Sequence, residues 1–331
     1  MKKKIAIIIL ILILLTLTLT LVNISTYKAY HKNYFYMDTY IDIKLNTTKN
    51  RKEMNKIFED IDYLYKSYHE LTDRYNSYNN VINIYYLNEK LPDNEEVEID
   101  PRLSDIINLG IEYYDKTNGL LNIAAGNLTE VWKEFINTCE KLPSNEELNT
   151  NINIKDINLE NNIYKKQNNI KLDLGAIAKG YTTELVGKYL EDNNIHSYII
   201  NAGGNVKVGK AYKKEYYKVG IADPLNPSDI FIKLNINNKS VVTSGDYQRY
   251  CTMDNINYNH IINPNTKYPS NYMHSVSVVS SSSSLADIYS TYLFLLPVEE
   301  GQLIVDNTDD IEAIWYIDEN NIVKSRGFNY E

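Results

Sequence analysis

The stretch Leu172-DLGAIAKG-Tyr181 places an acid, Asp173, two small residues and a lysine, Lys179, inside seven positions. Apolar residues before it read as a strand from Asn168 to Leu174. From Ala178 the residues Tyr181, Leu185, Val186 and Leu190 recur at helical spacing, so Gly175 and Ala176 fall at a strand-to-helix turn. The first N–H groups of a helix lack internal partners and sit at its positive end, so a phosphate can approach there if the side chains are small. Tight packing alone also explains such a turn. Far downstream, Asp287 and Thr291 stand four apart in an otherwise apolar helical pattern, hence on one face. Hard oxygens of that kind suit Mg²⁺, which completes its shell with waters and substrate phosphates. The competing reading makes Asp287 a first-turn residue favoured by the helix dipole.

Three other stretches have the composition of ligand contacts. Ile200-NAGG-Asn205 ends a strand on a glycine pair, where backbone can approach a ligand or merely turn. Val242-TSGD-Tyr247 carries two hydroxyls, Thr243 and Ser244, suited to a phosphate or ribose and equally to a structural turn. In His260-IINPNTKY-Pro269, His260 begins a strand from which Pro264 enforces the exit. By itself a lone His is as readily structural as catalytic.

The elements that must position these residues are an early helix and a long series of short strands. Residues 23–34 read as a polar tether and Tyr36–Leu45 as a strand. Arg51–Leu71 is an amphipathic helix, with Met54, Ile57, Phe58, Ile61, Leu64, Tyr65 and Tyr68 on one face. Helical patterns follow at Asn79–Leu87, Leu103–Tyr114 and Asn127–Leu142. Beyond Pro143, Asn-rich turns separate strands near 152–157, 163–164, 197–200, 205–208, 217–221, 231–234, 241–243, 260–262 and 276–279, with a helix at 285–296. The pattern predicts an α+β fold with a largely antiparallel sheet in one catalytic domain, residues 30–331, behind an N-terminal segment, residues 1–29.

With 331 residues, 44% hydrophobic and 23% charged, the chain can bury a sizeable core. A net charge of −9 and the lack of a basic stripe beyond the first four residues argue against nucleic acid as a partner. Tyr is abundant, but so are Asn, Ile and Lys, a global bias without positional meaning. Lys2, Lys3 and Lys4 precede an uncharged run from Ile5 to Val22, eighteen residues long. That length predicts a membrane-spanning helix with its lysine end in the cytoplasm. No cysteine follows the run and no cleavage site of small residues is evident, which favours an uncleaved single-pass anchor over a cleaved signal peptide. Both readings put residues 30–331 outside the cytoplasm. Cys139 and Cys251 could pair there, although no spacing argument requires it.

Taken in order, "MDTY" at 37–40, "RYN" at 74–76, "LDLGAIAKGY", "INAGGN", "GIADP" at 220–224, "VTSGDY", "HIINPNTKYP" and "LADIYST" at 285–291 resemble one family, the FAD:protein FMN transferases of the ApbE type. The resemblance runs from about Tyr36 to the C-terminus. It implies that FAD is held by its pyrophosphate and Mg²⁺ and that its FMN half passes to a threonine or serine hydroxyl of an acceptor protein, releasing AMP. It further implies that the carbonyl of Ala176, with Asp287 and Thr291, ligates the metal. Asp173, Lys179 and the turn would hold FAD, together with Thr243, while Met37, Tyr75, Leu120, Leu121 and Asn122 would contact flavin or adenosine. His260 and Ile261 would lie along the pyrophosphate, with His260 and Lys179 as the catalytic pair. Departures from the pattern are Asn122, Asn205 and Asn263 where the family usually has Asp, Lys267 where it has Gly, and Ser290 where some members have a further acid. These bear on hydrogen bonds in the FAD pocket more than on the metal. Two alternatives share the residues: an FAD pyrophosphatase releasing FMN and AMP, and a membrane-tethered flavin-binding protein without turnover.

Overall fold

The computed structural model describes residues 27–330. Its frame is an eight-stranded sheet whose strands lie side by side in chain order, every neighbouring pair antiparallel. We label them β1 (Lys28–Tyr36), β2 (Thr39–Thr47), β3 (Ser197–Ala202), β4 (Asn205–Val208), β5 (Ser240–Gly245), β6 (Ser275–Ser280), β7 (Glu312–Asp318) and β8 (Asn321–Lys324). The helices are α1 (Arg51–Thr72), α2 (Ile84–Glu89), α3 (Pro101–Lys116), α4 (Gly126–Thr138), α5 (Ala178–Asp192), α6 (Ser283–Phe294) and α7 (Val298–Asp306).

One face of the sheet carries α1, α5 and α6. Alternate residues Ile41, Ile43 and Leu45 of β2 point at Met54, Ile57 and Ile61 of α1 and at Val186 and Leu190 of α5. On the opposite face, an antiparallel ribbon of Tyr217–Ala222 and Ile230–Ile236 covers β4 to β7 with Val219, Ile221, Leu234 and Ile236. Strand β6 is therefore buried at all six positions. Helix ends are locally specified. Asn50 and Glu53 form a reciprocal capping box on α1, Asp100 precedes Pro101 at the start of α3, and the Ser282 side chain accepts from Leu285 N on α6.

The α+β, largely antiparallel reading describes this architecture, with local corrections. The expected tether includes β1. Its inward residues Tyr30, Tyr34 and Tyr36 look polar in sequence, yet their rings pack toward α1 while the hydroxyls donate to Lys49 O, Phe58 O and Asp62. The expected strand at 168–174 is an extended segment with one bridge, Lys171 to Ala125. Asn88 takes both backbone groups of Leu172 at 2.7 and 2.9 Å, and Asp173 N donates to Ile123 O at 2.8 Å. Ile170, Leu172 and Leu174 are apolar because they are buried under α2 and α3, not because they sit in a sheet. The helix expected at 79–87 begins only at Ile84, after the Asn83 cap. His260 follows the hairpin strand Ile256–Asn259 and does not begin a strand. Helix α7 and strands β7 and β8 lie beyond the last element the sequence pattern predicts. The Ile5–Val22 run lies outside the described residues, among which no helix is long and apolar enough to cross a membrane.

Candidate active site

A cleft of about 860 Å³ opens at the end of the sheet where the β1–β2 turn, the β3–β4 turn and the end of β5 meet α4, the start of α5 and α6. All thirteen residues expected to bind cofactor or metal or to catalyse line it, although they span positions 37 to 291. Its size is that of a pocket for a large organic ligand.

The turn 175–177 leads into α5 at the cleft wall, where the cap residue Ile177 offers no side-chain acceptor and Leu174 O accepts Ala178 N at 2.9 Å. Asp287 of α6 lies beside it. Its Oδ2 accepts the Gly180 N–H at 2.7 Å, and the residue is 4% exposed. Because Ser282 caps α6, Asp287 sits a turn inside the helix, which removes the first-turn reading. Burial pushes its carboxyl above the ordinary value against the opposing pull of the Lys179 charge and the Gly180 N–H. One turn on, the Thr291 hydroxyl is 3.5 Å from Ser244 Oγ, which also meets Ser290 Oγ at 2.9 Å. Among the described residues no cluster of three His, Cys, Asp or Glu side chains could hold a metal ion. The donor set at this corner is one desolvated carboxylate with hydroxyl and carbonyl oxygens, a set that fits a hard divalent cation sharing its shell with substrate phosphate.

Asp173 is occupied from within. Its Oδ2 receives Arg74 Nη1 at 2.6 Å and Thr129 Oγ1 at 2.7 Å, and its Oδ1 receives Gly175 N at 2.9 Å. Burial would raise its pKa, but the Arg74 guanidinium and these donors hold it below the usual value. Arg74 Nη2 also donates to Gly126 O at 2.8 Å, so one guanidinium joins the end of α1, the start of α4 and the turn before α5. Sequence reasoning passed over Arg74 although it is the first letter of "RYN". Tyr75, beside it, is held by Asp73, whose Oδ1 accepts its N–H at 2.7 Å. The Tyr75 ring is 53% exposed and carries the Lys133 ammonium 3.1 Å over its centroid.

Met37 and Asp38 form the two-residue turn between β1 and β2, both at positive φ (51° and 61°). Such a turn normally takes Asn-Gly, so Met37 is held at the cleft wall in a conformation unusual for its type. Thr243 Oγ1 pairs with Ser277 Oγ at 2.7 Å. Leu121 and Ile261 are buried and present mainly their edges, while Leu120 is partly buried. His260 opens to cleft solvent, yet the enclosing walls and the neighbouring Arg249 and Lys179 charges push its pKa down to about 4. Its Nδ1 lies 3.3 Å from the Arg249 carbonyl, an acceptor only, which selects the tautomer that leaves the Nε2 lone pair free.

The asparagines that depart from the expected pattern are structurally committed. Asn122 Oδ1 accepts Ala124 N at 2.9 Å while its Nδ2 donates to Ile152 O at 2.9 Å. Asn263 Oδ1 accepts Asn265 N and its Nδ2 points to Leu295 O at 3.4 Å. Asn205 Oδ1 accepts Ser283 Oγ at 2.7 Å. Lys267 keeps the left-handed conformation that glycine would supply, φ 63°.

Residues 37–315 match the model of the ApbE family. The chain belongs to that family. A FAD:protein FMN transferase of Klebsiella pneumoniae is 38% identical over 165 residues, 49% of this chain and 51% of that protein. One from Rhodobacter capsulatus is 27% identical over 65% of this chain and 42% of its own length. The ApbE chain thus spans about half the length of these relatives. The crystal structure of the ApbE protein of Thermotoga maritima superposes with a TM-score of 0.80 at 25% identity, covering 90% of this chain and 97% of that one. The flavin transferase ApbE of Vibrio cholerae shares the fold, with a TM-score of 0.77 at 22% identity.

Proposed function

We propose that this ApbE chain transfers the FMN half of FAD to a serine or threonine hydroxyl of an acceptor protein and releases AMP, with Mg²⁺ as its metal. The observation that carries the reading is the corner where the start of α5, Lys179 and the desolvated Asp287 meet. Ala176, Asp287 and Thr291 are the residues that would hold the cation, which when bound neutralises pyrophosphate charge. Phosphoryl transfer asks a protein mainly to position groups and to stabilise charge. Lys179, at the start of α5, faces the pyrophosphate. The Asp173–Arg74 pair fixes the turn that presents them. Tyr75, backed by Lys133, and the Met37 wall offer surfaces for the aromatic rings. The acceptor oxygen forms its bond to the FMN phosphorus as the bond to the bridging oxygen breaks and AMP leaves. His260, neutral with a free Nε2 lone pair, is placed to take the hydroxyl proton.

Anchorage outside the cytoplasm is part of this proposal, supported by the lysines before Ile5 and by the disulfide between Cys139 and Cys251. Mass spectrometry of a candidate acceptor after incubation with the full chain, FAD and Mg²⁺ tests the activity. An added FMN mass supports transfer. Free FMN and AMP with unmodified acceptor would replace it with hydrolysis.

A further inference from the structure

Arg249 stands at the cleft lip, and its guanidinium has been given no contact with substrate above. It lies in the loop between β5 and the hairpin strand Tyr250–Met253, and its guanidinium Nη2 donates to Asp38 Oδ2 at 2.9 Å across the mouth. Both side chains are open to solvent, 60% and 78% exposed, so the pair is screened and easily broken. The backbone of Arg249 is anchored by contrast. Its carbonyl accepts His260 N at 3.1 Å and faces the His260 ring. A fixed backbone beside the proposed base, with a solvent-exposed cation at its tip, is the arrangement of a residue that can exchange partners. A guanidinium binds phosphate oxygens with a planar fork of donors, which a carboxylate only mimics.

We propose that Arg249 is a catalytic residue that leaves Asp38 when a pyrophosphate ester enters and donates to its phosphate oxygens, opposite Lys179. Asp38 parks the guanidinium at the lip while the cleft is empty. The inference rests on the flavin-transfer reading for its reaction but not for its ligand, since any nucleoside diphosphate would be recognised by the same contact.

The test uses the full chain and its Arg249→Ala, Arg249→Lys and Asp38→Asn variants, with thermal melts to verify folding. ADP binding is measured by calorimetry, and AMP release from FAD is followed separately. Arg249→Ala should weaken ADP by at least about tenfold, the worth of a hydrogen bond to a charged group, and slow AMP release by about a hundredfold or more. Arg249→Lys should fall between that variant and the wild type. Asp38→Asn should bind ADP as tightly as the wild type or more so. Equal losses in Arg249→Ala and Asp38→Asn would reduce the pair to a structural clasp and overturn the proposal, as would unchanged ADP affinity in Arg249→Ala. A wild-type chain that binds ADP but releases no AMP from FAD would remove the transferase reading while the ADP comparison still judges Arg249.

Discussion

The Gly180 N–H reaches Asp287 Oδ2 at 2.7 Å, so the first turn of α5 and the second turn of α6 share one hydrogen bond at the cleft corner. A Cβ on residue 180 would lie 2.4 Å from Asp287 Cβ, which is why only glycine allows this approach. Asp287→Ala should abolish Mg²⁺-dependent AMP release while the fold survives, and Asp287→Asn should leave a trace that high Mg²⁺ rescues. Calorimetric Mg²⁺ binding in the presence of ADP, beside AMP release, checks this. Normal turnover by Asp287→Ala would end the metal assignment.

Arg74 holds three elements through Asp173, Thr129 and Gly126. Its side chain is 8% exposed, so truncation leaves the Asp173 carboxylate without its counter-ion. Arg74→Ala should cost about 3 kcal/mol, the lower end for removing one partner of a buried pair, because Asp173 keeps some water. Urea unfolding measures the loss, and FAD affinity should fall with it because the turn before α5 loses its brace.

Restoring a carboxylate at Asn122 should harm the protein, contrary to what the departure from the family pattern alone would imply. The Nδ2 donation to Ile152 O would be replaced by a carboxylate oxygen against a carbonyl. Asn122→Asp should destabilise by about 1 kcal/mol, the low end for an unsatisfied polar group, because residue 122 is only partly buried. Thermal unfolding at neutral pH tests this, and a more stable variant would contradict the geometry.

His260 titrates near 4 in the folded chain against an ordinary 6.5. The unfolded chain therefore binds more protons between these values, and stability falls as pH drops through that window. Melting curves from pH 7 to pH 4 should show less acid sensitivity in His260→Gln than in the wild type. Identical slopes would mean that the imidazole is not held neutral. The acid limb of AMP release should likewise sit near pH 4 rather than 6.5.

Cys139, at the C-cap of α4, is joined to Cys251 across 112 positions of sequence. The bond reinforces the small core of Leu128, Trp132 and Phe135 against the hairpin that precedes His260. Reduction, or the Cys139→Ser and Cys251→Ser double variant, should lower stability by about 2–5 kcal/mol. Melts with and without dithiothreitol should differ for the wild type and coincide for the double variant.

The cleft was legible in the order of its motifs along the chain rather than in any one residue type, since Asp287, Lys179 and His260 each admit a structural reading alone. Arg74 and Arg249 were not legible, because an arginine's meaning depends on which carboxylate it meets, and Asp173 and Asp38 lie 99 and 211 positions away. The tyrosines of β1 hid a strand because their rings are buried while their hydroxyls find backbone or side-chain acceptors. The asparagines misled in the other direction. The Asn122 and Asn263 amides bridge backbone groups, and Asn205 Oδ1 accepts the Ser283 hydroxyl, ties that the residue type alone does not announce.

Strand β1 enters the domain at Lys28 and ends at the Met37–Asp38 turn on the cleft wall. Nine extended residues make a rigid strut of roughly 30 Å. Polypeptide preceding Tyr27 therefore leaves at the far end of this strut from the cleft mouth. In the anchored reading proposed above, the cleft would stand at arm's length from the point of attachment and would reach hydroxyls on a partner at a matching height. On that reading, lengthening or shortening the residues before Tyr27 would alter which partners come within range without touching a single residue of the cleft.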